Sequence, residues 1–201
     1  MAVTHVLVGM ALSGVVLAFA PDLAPVALVA GALGGAVPDL DLYVGHRRTL
    51  HYPVYATLGG IAALAASAAT PTPFTVALAV FVLAAGAHAA MDALGGGLEL
   101  KPWERTSQRA VYSHFHARWL RPRRWVRYDG APEDLALSAV VAAPLVALYD
   151  SPVPLAVSAL LAVALCYTLL RKRLADYWTA LAALVPPSLA AHLPERFAKV
   201  R

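Results

Sequence analysis

The chain has 201 residues, of which 60% are hydrophobic and only 14% charged, and its formal net charge is +4 at pH 7. Because soluble domains carry about a quarter charged residues, this composition excludes an ordinary water-soluble globular protein. Residues 49–91 contain no Lys, Arg, Asp or Glu, and such a stretch can supply two membrane spans of about 20 residues each. We therefore predict an all-α integral membrane protein.

Seven apolar segments follow one another along the chain. They cover residues 3–20, 23–37, 53–70, 74–93, 135–149, 153–170 and 177–193. Pro71 and Pro73 predict a turn between the third and fourth segments, because proline lacks an amide donor and restricts the residue before it. Pro186 and Pro187 interrupt the last segment, which is either a seventh span or a broken helix at the surface. We expect a polytopic integral membrane helical bundle with six or seven apolar segments.

The whole chain, residues 1–201, is interpreted as a single membrane domain with three regions. Residues 1–105 contain His and Asp motifs, residues 106–133 form a basic and aromatic loop, and residues 134–201 add further membrane helices. Small residues in the apolar segments favour close helix packing. The glycines expected at such contacts are Gly31, Gly34, Gly35, Gly59 and Gly60.

The distribution of basic residues predicts an orientation in the membrane. The turns near Pro21, Pro71 and Asp150 contain no Lys or Arg, whereas the opposite segment ends contain most of the basic residues, beginning with residues 47–48. Basic residues favour the cytoplasmic side, so we expect those ends in the cytoplasm. Residues 18–20 resemble a signal-peptide cleavage site, but no Lys or Arg precedes the apolar stretch, which favours a retained helix.

The loop region is rich in both arginine and tryptophan. Residues 101–127 include eight basic residues together with Trp103, Trp119 and Trp125. This mixture suits a membrane interface, and it also suits nucleic-acid binding through phosphate contacts and stacking. The interface is favoured because the flanking apolar segments place the loop at the bilayer surface. Membrane lipid is the expected partner, nucleic acid is not expected, and protein partners stay open.

Histidines and aspartates recur at the segment ends on the predicted cytoplasmic side. His88 and Asp92 are four residues apart, so in a helix both side chains project from one face. Neutral imidazole and carboxylate groups are ligands for zinc and similar divalent ions. A buried hydrogen bond between His88 and Asp92 would explain this pair equally well, and His5 has the same alternative.

Two further motifs lie on the same predicted side. Asp39 and Asp41 follow Pro38 and would either cap a helical turn or bind a metal. In the stretch from His46 to His51, the arginines face water or anionic lipid, or Arg47 holds a phosphate with its planar guanidinium. No motif is specific alone. Their convergence on one face favours a metal site, since ionisable groups beside hydrocarbon are costly and usually functional.

These motifs resemble a known family. They occur in the order Thr4-His5, Pro38-Asp39-Leu40-Asp41, His46-Arg47 with His51, and Gly86-Ala87-His88 with Asp92, followed by Gly97 and Pro102-Trp103. In this order they resemble the YdjM-type membrane-bound, metal-dependent hydrolases, over about residues 1–105. That family is considered related to the zinc-dependent phospholipase C and single-strand nuclease group, whose members are helical enzymes with His/Asp zinc clusters.

The resemblance implies a zinc cofactor and a set of ligands. The implied ligands are His5, Asp39, His51, His88 and Asp92, with Asp41 and His46 nearby. The chain departs from the family at Thr49-Leu50-His51-Tyr52, where the family usually has Thr-His-Ser, so the serine beside the histidine is lost.

The predicted function is metal-dependent hydrolysis, with a phosphoester as substrate, at the cytoplasmic face of the cell membrane. A bound metal would activate water. Asp41 or a spare carboxylate would accept the proton, and Arg47 or Arg48 would hold the phosphate. One alternative is a non-enzymatic membrane regulator or assembly protein with a structural metal. A transporter is a third interpretation, but transporters place polar groups near the bilayer midplane or on both sides.

Overall fold

Helices make up most of this computed structural model, which describes residues 1–190, 193 and 197. The helices are α1 (Ala2–Leu12), α2 (Ala24–Ala36), α3 (Tyr55–Ala69), α4 (Pro73–Asp92), α5 (Pro132–Leu148), α6 (Val153–Leu184) and the short α7 (Pro187–Ala190). Shorter 3-10 turns cover Ser13–Ala18, Pro21–Leu23, Val37–Tyr43 and Pro102–Glu104. The all-α prediction is confirmed.

A small antiparallel hairpin is the only β-sheet among the described residues. Its strands are β1 (Tyr112–Ser113) and β2 (Arg118–Trp119), with Tyr112 opposite Trp119. The hairpin lies within the basic and aromatic loop, which therefore has a defined structure of its own.

The first five predicted apolar segments match helices, but the last two do not form separate elements. Residues 153–184 form the single helix α6, so the prediction of a distinct segment beginning at residue 177 is wrong. The helix ends where Val185 adopts extended backbone angles, because the proline that follows disfavours the helical conformation. Residues 191 and 192 of the predicted seventh segment lie outside the described residues.

Three stretches are long and apolar enough to cross a membrane. They are Pro21–Tyr43, Pro73–Asp92 and Val153–Leu184. Ala2–Ala18 and Tyr55–Ala69 are apolar but shorter. Over the described residues the structure thus supports a membrane location with three candidate spans, a smaller number than the six or seven apolar segments predicted.

Glycines bring the first helices into close contact. A Cβ atom on Gly9 would lie 2.0 Å from the carbonyl oxygen of Gly31, and the reverse is also true, so the α1 and α2 backbones touch. A Cβ atom on Gly35 would likewise lie 2.3 Å from the carbonyl oxygen of His5. Gly34 and Gly60 likewise face α4 backbone. Gly59 faces open space, so its predicted packing role is wrong.

Two apolar clusters hold the bundle together. One joins α1 to α5 and α6 through Leu7, Leu145 and Val157, all of them buried. The other joins α2 and α4 through Ala27 and Val80, again fully buried. Helix α1 therefore packs between the two groups of helices, and the position of its first turn depends on both.

A buried arginine anchors α6 to the loop region. Arg171 donates hydrogen bonds to the Asp129 carboxylate at 3.2 Å, to the Asp129 carbonyl at 3.1 Å and to the Leu100 carbonyl at 3.0 Å. Its guanidinium also lies over the ring of Trp103. The arginine is thereby paired and hydrogen-bonded, as a buried charge requires.

Candidate metal centre

The five predicted metal ligands lie together at one end of the helices. They come from four separate places: His5 on α1, Asp39 on the turn after α2, His51 before α3, and His88 and Asp92 in the last part of α4. The donor atoms of His5, His88 and Asp92 lie within 4.8 Å of one another, and so do those of Asp39, His51 and His88. The predicted convergence of these motifs is therefore found in the structure.

The distances between donors fit a single ion. His51 Nε2 lies 3.1 Å from Asp92 Oδ2 and 4.0 Å from Asp39 Oδ1. His88 Nε2 lies 3.5 Å from Asp39 Oδ1 and 3.7 Å from Asp92 Oδ2. Two donors bound to one zinc ion at about 2.0–2.2 Å can be no more than about 4.4 Å apart. Each of these four distances is within that limit, and the two groups of mutually close donors share His88.

In two of the histidines, Nδ1 is hydrogen-bonded and the second ring nitrogen, Nε2, is directed at the cluster. His88 Nδ1 lies 2.7 Å from the carbonyl oxygen of Gly35, which can only accept, so Nδ1 carries the hydrogen. His51 Nδ1 lies 2.9 Å from Asp41 Oδ2. In both rings Nε2 is left to bind a metal, and such hydrogen bonds fix the orientation of ligating histidines in metal sites.

Several buried polar atoms at the cluster have no hydrogen-bond partner among the described residues. They are both ring nitrogens of His5, Nε2 of His51, Nε2 of His88 and Oδ2 of Asp92. Buried polar groups are nearly always paired. Nitrogen and carboxylate acceptors that face one another need a cation between them, so these residues fit a divalent ion.

Nearby carboxylates make His51 unusually basic. Burial lowers the pKa of its imidazole, but the nearby carboxylates of Asp41 and Asp92 outweigh that effect and raise the pKa to about 9. Without a metal, His51 therefore holds a proton at neutral pH. A divalent ion would replace that proton at the same place, which makes metal binding dependent on pH.

Asp41 organises the loop that carries His51. Its Oδ1 contacts His46 Nδ1 at 3.0 Å and accepts from the Arg47 amide, and its Oδ2 accepts from the amides of Arg48 and Leu50 and from His51 Nδ1. The proton-accepting role predicted for Asp41 stays a prediction. Its observed position is that of a residue that orients His51.

Arg47 lies against the cluster, held by the loop region. Its Nη2 is 3.2 Å from Asp92 Oδ1, and its Nη1 donates to the Gly96 carbonyl at 3.0 Å. The Arg47 carbonyl accepts from the amide of Tyr112 in the hairpin, and His114 Nε2 lies 2.7 Å from the Arg48 carbonyl. The hairpin thus fixes the arginine loop, and His114 supports that loop.

A cavity of about 400 Å³ opens beside the cluster. Among the five candidate ligands, Asp39 is the one accessible from outside, because 36% of its side chain is exposed. The side chains of the other four candidate ligands are 2% exposed or less. The opposite wall includes Asp134, Val163 and Tyr167 from α5 and α6. A small molecule can therefore reach the candidate ligands from the cavity.

Sequence reasoning missed the contribution of the second half of the chain to this cavity. Thr4, which precedes His5, donates a hydrogen bond to Asp134 and contacts Ser138 at 2.8 Å. Both side chains are on α5 and both are buried. The available signal was Asp134 itself, an ionisable residue directly before an apolar segment.

The chain matches no protein-family model, no curated protein and no solved structure. The resemblance to the YdjM-type hydrolases therefore stays a prediction, and any functional argument depends on the site alone.

Proposed function

We propose that the protein is a membrane-bound, metal-dependent phosphoester hydrolase. The observation that supports this most directly is the set of buried acceptor atoms of His51, His88 and Asp92, which face one another without hydrogen-bond partners. They lie next to a cavity that a substrate can enter. An accessible site of this kind is what a metal-dependent enzyme needs.

His51, His88, Asp39 and Asp92 would hold the ion, with His5 beside them. The mixture of imidazole and carboxylate donors suits zinc. A bound divalent ion supplies a water whose pKa is lowered toward neutrality and polarises the phosphoester. The five side chains come from elements packed through glycine contacts, so their positions are set before any ligand arrives.

Two side chains have further roles in this proposal. Asp39 is the exposed carboxylate of the cluster and lines the cavity, so its second oxygen would accept a proton from water. Arg47 lies beside Asp92 and lines the same cavity. Its planar guanidinium can bind two oxygens of a phosphate and also neutralises Asp92.

A structural metal in a non-enzymatic regulator is the second candidate function. Structural zinc sites are closed by protein ligands, whereas catalytic sites keep an open position. The exposure of Asp39 to the cavity favours the catalytic interpretation. A transporter is favoured less, because the five donors lie at one end of the bundle and not along its length.

Metal content and phosphoester turnover, measured together, test this proposal. Asp92→Asn keeps the side-chain shape but removes an anionic ligand, so metal and activity should fall together by more than the roughly 10–100-fold typical of outer-shell changes. Arg47→Ala should keep the metal and raise KM, since its role is to hold phosphate.

Asp22→Asn serves as the matched control, because Asp22 is exposed and lies at the opposite end of α2 from Asp39. Metal-loaded wild-type protein that hydrolyses no member of a broad phosphoester panel would support the regulator instead. Equal metal content in wild type and Asp92→Asn would contradict the proposed set of ligands.

We also propose that the site faces the cytoplasm. Arg47, Arg48 and the basic loop lie at the same end of the helices as the ligands, and exposed aromatic side chains such as Phe115 and Trp125 suit the interface there. On a Cys166→Ser background, Thr70→Cys should react with an impermeant thiol reagent from outside the cell. Phe115→Cys should react only after the membrane is opened, and the reverse pattern would contradict the orientation.

A further inference from the structure

An apolar groove lies on the outer face of the bundle, where α6 runs beside α1 and α2. Every residue that lines it is apolar, and these include Val6, Met10, Leu28, Leu33, Ala159 and Leu160. The groove encloses about 500 Å³. It follows residues 156–163 of α6, a length of about 10 Å at the helical rise.

The groove adjoins the cavity beside the candidate metal centre. Val163 lines both spaces. Along α1 the lining changes within one residue, because His5 lines the cavity and Val6 lines the groove. A molecule that occupies both spaces therefore has a polar end near Asp92 and an apolar tail between α1, α2 and α6.

The groove lies within two of the candidate membrane spans. Its α2 residues belong to Pro21–Tyr43 and its α6 residues belong to Val153–Leu184. Val29 and Val163 are each 58% exposed at its edges. In a bilayer such a surface meets hydrocarbon, so a lipid chain can enter from the side, and a water-soluble metabolite would leave the groove unused.

We propose that the candidate centre acts on a membrane lipid with a phosphate headgroup, and that the groove holds one hydrocarbon chain of that lipid. This inference rests on the proposed function. The headgroup lies in the cavity, where Arg47 supplies positive charge for phosphate. In the reaction, water adds to phosphorus, the ester P–O bond breaks, and the released lipid alcohol takes the proton.

Photolabelling tests the groove without requiring turnover. The probe is phosphatidic acid with a diazirine in its acyl chain, in phosphatidylcholine vesicles, and diacylglycerol with the same chain is the comparison. Labelled residues are mapped by mass spectrometry. The phosphate probe should label the groove lining on α1, α2 and α6, and the diacylglycerol probe should label it much less, because only phosphate binds in the cavity.

Two substitutions on one helix give a matched comparison. Ala159 lines the groove, whereas Ala162 is exposed on the same helix outside it. Ala159→Phe should fill the groove and reduce labelling and long-chain turnover by roughly tenfold, because the ring excludes one or two methylene groups of the lipid chain. Ala162→Phe should leave both unchanged. Val29→Phe on α2 repeats the test from the other wall, and unchanged bound metal shows that each variant is folded.

The outcomes separate this inference from the proposed function. Groove labelling without turnover of any substrate would support the lipid site and contradict the proposed hydrolase activity. Equal kcat/KM for long-chain and short-chain phosphoesters, with no change in Ala159→Phe, would support the hydrolase activity. The same result would contradict the proposal that the groove holds a lipid chain. Equal labelling by both probes, or crosslinks from the groove to another copy of the chain, would also overturn it.

Discussion

The helices that carry the candidate ligands and the helix that closes the cavity differ sharply in packing. In the most apolar parts of Pro21–Tyr43 and of α4, 39% of residues are buried, whereas the corresponding figure for α6 is 11%. Glycine contacts such as Gly9 with Gly31 explain the closeness of the first group. The difference divides the molecule into a close-packed half that carries the candidate ligands, here called the rigid half, and a more open half around α6.

The largest effect on metal content is expected where the rigid half is closest packed. Gly35→Ala would place a Cβ atom 2.3 Å from the carbonyl oxygen of His5, so α1 must move away and carry His5 with it. Because a close-packed backbone cannot absorb this clash, we expect loss of bound metal and a destabilisation of about 1–3 kcal/mol. Metal content and thermal unfolding in detergent measure both effects.

Gly59→Ala is the control for this substitution, since a Cβ atom there meets nothing within 4 Å. It should retain the metal and the unfolding temperature of the wild type. If Gly35→Ala also retains both, the metal-binding half is more adaptable than its packing indicates.

A second substitution tests whether the open half is needed for the metal. Arg171→Leu removes the buried bonds to Asp129 and Leu100, and breaking a buried ion pair should cost about 3 kcal/mol. We expect lower stability towards denaturant but an unchanged metal content, because the ligands lie on other helices. Arg173→Leu, at an exposed position on the same helix, should change neither. Loss of metal in Arg171→Leu would contradict the division into two halves.

The smallest effect concerns pH. The pKa of His51 is raised to about 9, so below that pH a metal must displace a proton from Nε2. The apparent metal affinity should rise about tenfold per pH unit between 7 and 9 and level off above that range. The proton stabilises the metal-free fold fully below about pH 6.5, and this stabilisation is lost as pH rises through 9.

Metal titrations at several pH values measure this slope, with Asp41→Asn as the comparison. That variant removes the main carboxylate partner of His51, so its pKa should fall and the affinity should level off near neutral pH. A wild-type affinity that does not change between pH 7 and 9 would show that His51 is not a ligand.

The sequence predicted the helical class and the grouping of the His and Asp residues for identifiable reasons. Uncharged runs longer than a bilayer span, ended by proline, leave few alternatives to helix. His88 and Asp92 are fixed on one face by helical periodicity, and alternating segments bring the remaining motifs to the same end. Most glycine contacts followed from the same reasoning, although Gly59 shows that a glycine pair does not reveal which member faces the neighbouring helix.

Other features depend on tertiary contacts that no local pattern encodes. Nothing in the sequence pairs Thr4 with Asp134, because their association depends on how α5 packs against α1. The position of Asp41 behind His51 follows from the path of the loop between them. The continuity of α6 through Arg171 was missed because a basic residue in an apolar region was interpreted as a segment end, whereas it is bonded to Asp129.

The length of α6 has a mechanical consequence. Its 32 residues extend about 48 Å, while the hydrocarbon core of a bilayer is about 30 Å thick. A rod longer than the layer it crosses tilts when that layer becomes thinner. Because Arg171 bonds this helix to Asp129, which lines the cavity beside the candidate centre, we expect a change of tilt to shift that wall of the cavity.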